Sequence, residues 1–319
     1  MSHLIEQMAY VGATPWHGLG NALLPRQPLE VWAEQAGLSF SILETPVRYQ
    51  AHATDQLESI ADFPGHKVLY RSDTQAPLSV VSERYKIVQP SQVLEFYRDL
   101  TQESGFELET AGVLKGGRKL WALARTGQST ALKGADTVNG YVLLATACDG
   151  TLATTAQFTS VRVVCNNTLG LALADGSQSI KVRHNTRFDA QRVQQQLGLS
   201  ASTWDAFMYR MRMLSERRVK SHEAMNFYLN VFDDPQGAPA ILANARAMKT
   251  AQNLYEGHGL GAELSAAKGT AWGLLGSITE FVDHRRRARS QDNRLDSAWF
   301  GTGAILKQRA LDEAIRLVA

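Results

Sequence analysis

FELETAGVLKGGRKLWALA, residues Phe106–Ala124, is the stretch that decides the fold class. Phe106 to Leu114 and Lys119 to Ala124 are two β-forming runs. Between them Gly116-Gly117 supplies the positive φ that a tight reversal needs, so the segment reads as a β-hairpin. Similar signals lie on both sides. Tyr141–Ala145 and Leu152–Phe158 flank Asp149-Gly150, and Lys67–Tyr70 and Leu78–Val81 flank Ser72-Asp73-Thr74-Gln75. Leu38–Tyr49 alternates as a strand, and Pro46 places it at a sheet edge or breaks it. Two helices interrupt the strands. One spans Pro28–Ala36, with Leu29, Trp32 and Ala36 on one face and Gly37 as its C-cap. The other is capped by Ser91 and carries Val93, Leu94, Phe96 and Tyr97. Ser160–Val164 reads as a strand that tips into a short helix over Asn166–Ala174.

Past residue 188 the period changes from two to 3.6. Trp204, Phe207, Met208, Met211 and Leu214 share a helical face. So do Ala271, Leu274, Leu275, Ile278, Phe281 and Val282, and then Ile305, Leu306, Ala310, Leu311, Ala314, Ile315 and Val318. Strands followed by helices predict an α+β protein. The expected organisation is an antiparallel hairpin sheet with packing helices over residues 1–188, then a helical region over 189–319 that serves oligomerisation or DNA binding. Hinges are expected near Asp175-Gly176-Ser177 and Asp233–Gly237.

Composition narrows the function classes. The chain has 319 residues, 44% hydrophobic and 20% charged, and only two cysteines. It is long enough for a sizeable core and has too few cysteines for a disulfide scaffold. No 18-residue apolar run is present, and Met1–Tyr10 lacks a signal-peptide core, so a cytoplasmic protein without membrane contact is expected. The formal net charge of +2 hides an uneven distribution. Lys181 to Lys220 carries nine Lys and Arg against Asp189, Asp205 and Glu216, and Arg285 to Arg309 carries seven against Asp292 and Asp296. Two basic segments point to a polyanionic partner more than the total charge does.

Motif chemistry is largely negative. No G-x-x-x-x-G-K-[ST] loop occurs, and Gly-Leu-Gly at 18–20 and 259–261 lacks a third glycine, so no nucleotide cofactor is expected. Cys148, Cys165, His17, His184 and Asp149 are too scattered to predict a metal site. Cys165 is expected as a small buried thiol. No catalytic residue is assigned. Glu107 and Glu109 share a strand face with Lys119 on the hairpin partner, and with Asp149 they define an alternative reading as a metal-dependent nuclease.

Binding residues are more legible. Arg162 sits beside Asn166-Asn167-Thr168, good capping residues at an expected helix start where N–H groups could hold an anion. In an extended strand Lys181, Arg183, Asn185 and Arg187 share one face, a spacing that suits a phosphate backbone, with His184 or Phe188 to stack on bases. The expected DNA contacts are therefore Arg162, Asn166, Asn167, Lys181, Arg183, His184, Arg187 and Phe188. The run His284-Arg285-Arg286-Arg287-Ala288-Arg289 closes an amphipathic helix. It complements the helix dipole, or meets nucleic acid or an acidic protein, the last being the basis of a reading as an anti-defence interaction protein.

Several of these segments carry a family resemblance: Pro15-Trp16-His17-Gly18-Leu19-Gly20, Tyr70-Arg71-Ser72-Asp73-Thr74, Glu83-Arg84-Tyr85-Lys86-Ile87-Val88-Gln89 and Thr110-Ala111-Gly112 before Gly116-Gly117-Arg118. Arg162-Val163-Val164-Cys165-Asn166-Asn167-Thr168-Leu169, Thr279–His284 and Ala298-Trp299-Phe300-Gly301 continue it. Together they resemble the phage/plasmid-like proteins of the DUF932 family. Members often read His-Asp-Gly where this chain has Cys148-Asp149-Gly150, which favours a turn over a family-wide catalytic histidine there. The resemblance implies a mobile-element setting and no particular reaction. A weaker, fold-level resemblance to Rad52-like single-strand annealing proteins implies a homo-oligomeric ring or filament with single-stranded DNA as partner. The expected function is ATP-independent binding and annealing of single-stranded DNA in homologous recombination.

Overall fold

The computed structural model describes residues 8–12, 20–53, 56–163, 167–170, 180–182, 201–233 and 241–318. Within these, the strands are β1 (Met8–Val11), β2 (Asn21–Leu23), β3 (Ile42–Ala53), β4 (Gln56–Arg71), β5 (Pro77–Ser82), β6 (Glu107–Leu114), β7 (Lys119–Leu132), β8 (Asp136–Ala147), β9 (Thr154–Arg162), β10 (Asn167–Gly170) and β11 (Ile180–Val182). The α-helices are α1 (Leu29–Gln35), α2 (Pro90–Ser104), α3 (Ala201–Glu216), α4 (Ser221–Phe232), α5 (Ile241–Asn253), α6 (Ala271–Glu280), α7 (Gln291–Phe300) and α8 (Thr302–Arg316). The protein is α+β, with its strands early and most helices late. One sheet has the order β10-β9-β8-β7-β6-β1-β2 with β11 also on β9, and a second has the order β3-β4-β5. The β1–β2 pair is parallel, while β1–β6, β9–β10, β9–β11, β3–β4 and β4–β5 are antiparallel.

By internal contacts the chain divides into two compact units. One comprises 1–124, 143–156 and 179–194, and the other 125–142, 157–178 and 195–319.

In the first unit, β6 and β7 are joined by the short turn Lys115–Gly117, and all three of its residues have positive φ. At Gly117 a Cβ would lie 2.9 Å from Phe40 Cζ and 3.1 Å from Arg71 Nη1, so glycine is required by space as well as conformation. Arg71 donates to Gly116 O (3.2 Å) and to both carboxylate oxygens of Asp73, and its guanidinium lies 4.0 Å above the Phe40 ring. These bonds from Arg71 hold the Asp73 carboxyl below the usual range. Two of the family-like segments thus meet in one structural knot. Lys119–Ala124 is buried residue after residue, which marks cover on both faces; from Arg125 the strand alternates. Pro46 lies on β3, an edge strand, at a shift of register, as its missing N–H dictates. Helix α2 buries Val93, Leu94, Phe96 and Tyr97. Its N-cap is Gln89, reciprocally bonded with Gln92, rather than Ser91, because Pro90 fits the first helical position.

In the second unit, α6 is buried along its whole length. Thr270 caps it by accepting from Gly273 N–H (3.1 Å). Helix α3 buries the five residues of its predicted stripe, and Trp204 Nε1–H donates to Thr130 Oγ1 (3.0 Å) while its ring meets Phe158 edge-on. Two expectations are corrected. Asn167–Gly170 is strand β10, laddered on Thr159–Arg162, not the start of a helix over Asn166–Ala174; the ladder supplies the backbone partners that a helix would otherwise have supplied. On α8 the buried face is Gly303, Lys307, Ala310, Leu311 and Ala314, and Ile305 is 60% exposed. The stripe is displaced because Asp283, itself buried, takes Lys307 Nζ at 2.9 Å.

Candidate anion-binding site

The residues singled out in the sequence separate into three groups. Asn166, Arg183, His184, Arg187 and Phe188 lie outside the described residues. Asn167 stands opposite Arg162 in the β10–β9 ladder, and Lys181 stands opposite Thr155 in the β11–β9 ladder. Arg162 is inside, 5% exposed. Its Nε and Nη2 donate to Asp136 Oδ1 and Oδ2 at 2.7 and 2.6 Å, and Nη2 also donates to Gly261 O at 3.1 Å. Trp272 Nε1–H donates to the same carboxylate at 2.8 Å. Asp136 is fully buried, and a Cβ at Gly276 would lie 3.0 Å from Arg162 Nη1. This guanidinium clamps a strand to the segment before α6 and to α6 itself.

The acidic candidates do not gather. Glu107 is exposed, Glu109 half-buried and Lys119 buried. Asp149 accepts from Thr151 N–H (3.0 Å) and Thr151 Oγ1 (2.5 Å), and Gly150 has φ +75°, so Asp149-Gly150 builds a turn. Among the described residues no three His, Cys, Asp or Glu side chains are placed to hold a metal. The Cys148 thiol faces Arg118 O at 3.4 Å, and burial, then the Asp149 charge, pushes its pKa up to about 12. The Tyr85 hydroxyl donates to Ala147 O (3.0 Å); burial, then Cys148 and Asp149, pushes it up to about 12 also. Both groups stay protonated at neutral pH, the wrong state for nucleophiles.

A different arrangement emerges at the arginine run. Helix α6 passes into a π-helical turn, Phe281–Arg285, closed by Arg286 N–H on Phe281 O (2.7 Å). The chain then runs through 286–290 to α7, capped by Ser290 Oγ accepting from Asn293 N–H (3.2 Å). This reversal borders a half-open cavity of about 290 Å³ lined by Arg286, Arg287, Arg289, Asn293, Arg294 and Ser297, over Val282 and Ala288. Four guanidiniums and no carboxylate line it. Arg285 takes no part; it pairs with Glu280 at 3.3 Å. Asp283 is buried on Lys307.

Arg294 is the informative side chain. Its Nε and Nη1 are buried and have no hydrogen-bond partner among the described residues. Buried donors in that state cost about 1–3 kcal/mol each. Burial lowers the pKa of Arg294 against an opposing pull from Asp283, and burial lowers that of Arg286. Arg286 has only a long contact, 3.5 Å, to Ser297 Oγ. Arg287 and Arg289 are exposed. An anion entering the cavity would offset four like charges at once.

The sequence exposed the run 284–289 but not its partner. Arg294 lies eight residues past Arg286, beyond a helix cap; Ser290 was the signal that the chain turns back there. Comparison with protein families finds that the model described as Domain of unknown function (DUF932) matches residues 77–299, a span that contains both the cavity and the Asp136–Arg162 pair. No curated protein and no solved structure matches the chain.

Proposed function

This chain belongs to the DUF932 family, and from that footing we propose that it is an ATP-independent single-stranded DNA-binding protein of the annealing type, acting as a homo-oligomer. The observation that carries the reading is the carboxylate-free cavity with four guanidiniums and unanswered donors on Arg294. Phosphate is the anion that Arg forks fit best, and a nucleic-acid backbone presents it in series. A single strand is flexible enough to bend a phosphate into a concavity; a duplex holds its phosphates on a rigid outer surface. Among the described residues no helix is long and apolar enough to cross a membrane.

Fluorescence anisotropy of a labelled single-stranded oligonucleotide across a salt series tests this. Affinity should fall steeply with salt, with duplex binding weaker. Arg287→Ala with Arg289→Ala should shallow the log K against log [salt] slope by about 1.4, since each neutralised single-strand phosphate contributes about 0.7. Equal slopes in parent and variant would refute the assignment of these arginines. No binding to either substrate at low salt would refute the DNA reading itself.

A further inference from the structure

We infer that the arginine cavity receives a terminal phosphate monoester of the bound strand, so that the protein recognises a phosphorylated strand end. The inference rests on the single-strand reading and sharpens it. Two features separate an end from a passing backbone. The lining holds four positive charges without a carboxylate. An internal phosphodiester brings one negative charge and two free oxygens, whereas a monoester brings nearly two charges and three. The donors are also graded by depth. Arg294 presents buried, unpartnered Nε and Nη1, Arg286 is half-buried beside Ser297, and Arg287 and Arg289 are exposed. That order suits a terminal group held inside by Arg294 and Arg286, with the next phosphodiesters met outside by Arg287 and Arg289.

The test compares oligonucleotides of one sequence ending in 5′-phosphate, 3′-phosphate or hydroxyl at both ends, with deoxythymidine monophosphate as competitor. One phosphorylated end should bind at least tenfold tighter than the hydroxyl form. Arg294→Lys, which keeps the charge and removes the fork, should abolish the preference, so that phosphorylated and hydroxyl-ended strands bind alike. Arg287→Ala, at an exposed position, should weaken both forms alike and serves as the folded control. Equal affinity for all three ends would overturn the inference and leave single-strand binding standing. Competition by the mononucleotide at the concentration of the phosphorylated oligonucleotide would overturn the strand end as the source of the phosphate. Absence of binding to every oligonucleotide would remove the parent reading and this one with it.

Discussion

Asp136→Ala offers the sharpest test of how the second unit is held together. In the parent, the carboxylate accepts two N–H groups from Arg162 at 2.7 and 2.6 Å and one from Trp272 at 2.8 Å, with no solvent exposure. Removing it leaves a guanidinium that is 5% exposed without its carboxylate partner, while Gly261 O still accepts from Nη2 at 3.1 Å. Breaking a buried pair from one side costs about 3–5 kcal/mol, because the surviving charge stays buried. The orphaned indole N–H adds about 1 kcal/mol or more. Against a total stability of about 5–15 kcal/mol, that is a large share. For a unit of this size each kcal/mol moves Tm by about 2–4 °C, so Tm should fall by about 8–24 °C. Replacing both partners, Asp136→Leu with Arg162→Met, removes the uncompensated charge and should recover more than half of the loss. Thermal unfolding followed by near-ultraviolet circular dichroism measures all three proteins. An Asp136→Ala variant within about 1 kcal/mol of the parent would refute the reasoning, as would a double variant no better than the single.

Two further outcomes follow from the first unit. Gly117→Ala should destabilise by about 2–4 kcal/mol, combining left-handed strain with a Cβ driven onto Phe40, whereas Gly150→Ala, whose Cβ meets nothing within 4 Å, should cost only about 1–2 kcal/mol; urea unfolding separates them. In a Cys165→Ser background, Cys148 should resist iodoacetamide at pH 8 while the protein is folded and react once it is denatured, since its thiol pKa is about 12. The linked stability is fully present below pH 9, where the thiol is protonated in both states. It is lost as pH rises from 9 toward 12, because the unfolded chain releases its proton first.

The hairpins were legible because their signal is local. Gly116-Gly117 and Asp149-Gly150 announce reversals in two residues each, and the runs beside them need only strand-forming side chains. The stripe of α3 was legible for the same reason. What failed depended on distant partners. Asn166-Asn167-Thr168 has good capping residues, yet Asn167–Gly170 pairs with β9, and nothing within the segment records that ladder. Ile305 was expected on the buried face, yet Asp283 on the π-helical turn after α6 places a buried carboxylate opposite Lys307 and turns that face inward instead. Pattern reading assigns charge to water by default, and buried ion pairs are where that default breaks.

Arg162 and Arg294 show why a candidate site could not be read from composition. Both are arginines within basic or motif-rich segments, and both have buried guanidinium atoms. Arg162 has all it needs from this chain: a bidentate carboxylate, a backbone carbonyl and an aromatic neighbour 5.5 Å away. Arg294 has buried donors that no described residue answers. A guanidinium satisfied internally stabilises the fold and has little left to offer a ligand. One left unsatisfied beside Arg286, Arg287 and Arg289 costs the fold free energy, and on the proposed reading a bound anion offsets part of that cost. The difference between a structural and a binding arginine is thus its hydrogen-bond balance, a property of the packed chain and not of its neighbours in sequence. On the proposed reading the ligand meets the residues around α7, and replacing Arg294 should weaken phosphate binding without lowering Tm, the reverse of what Asp136→Ala does.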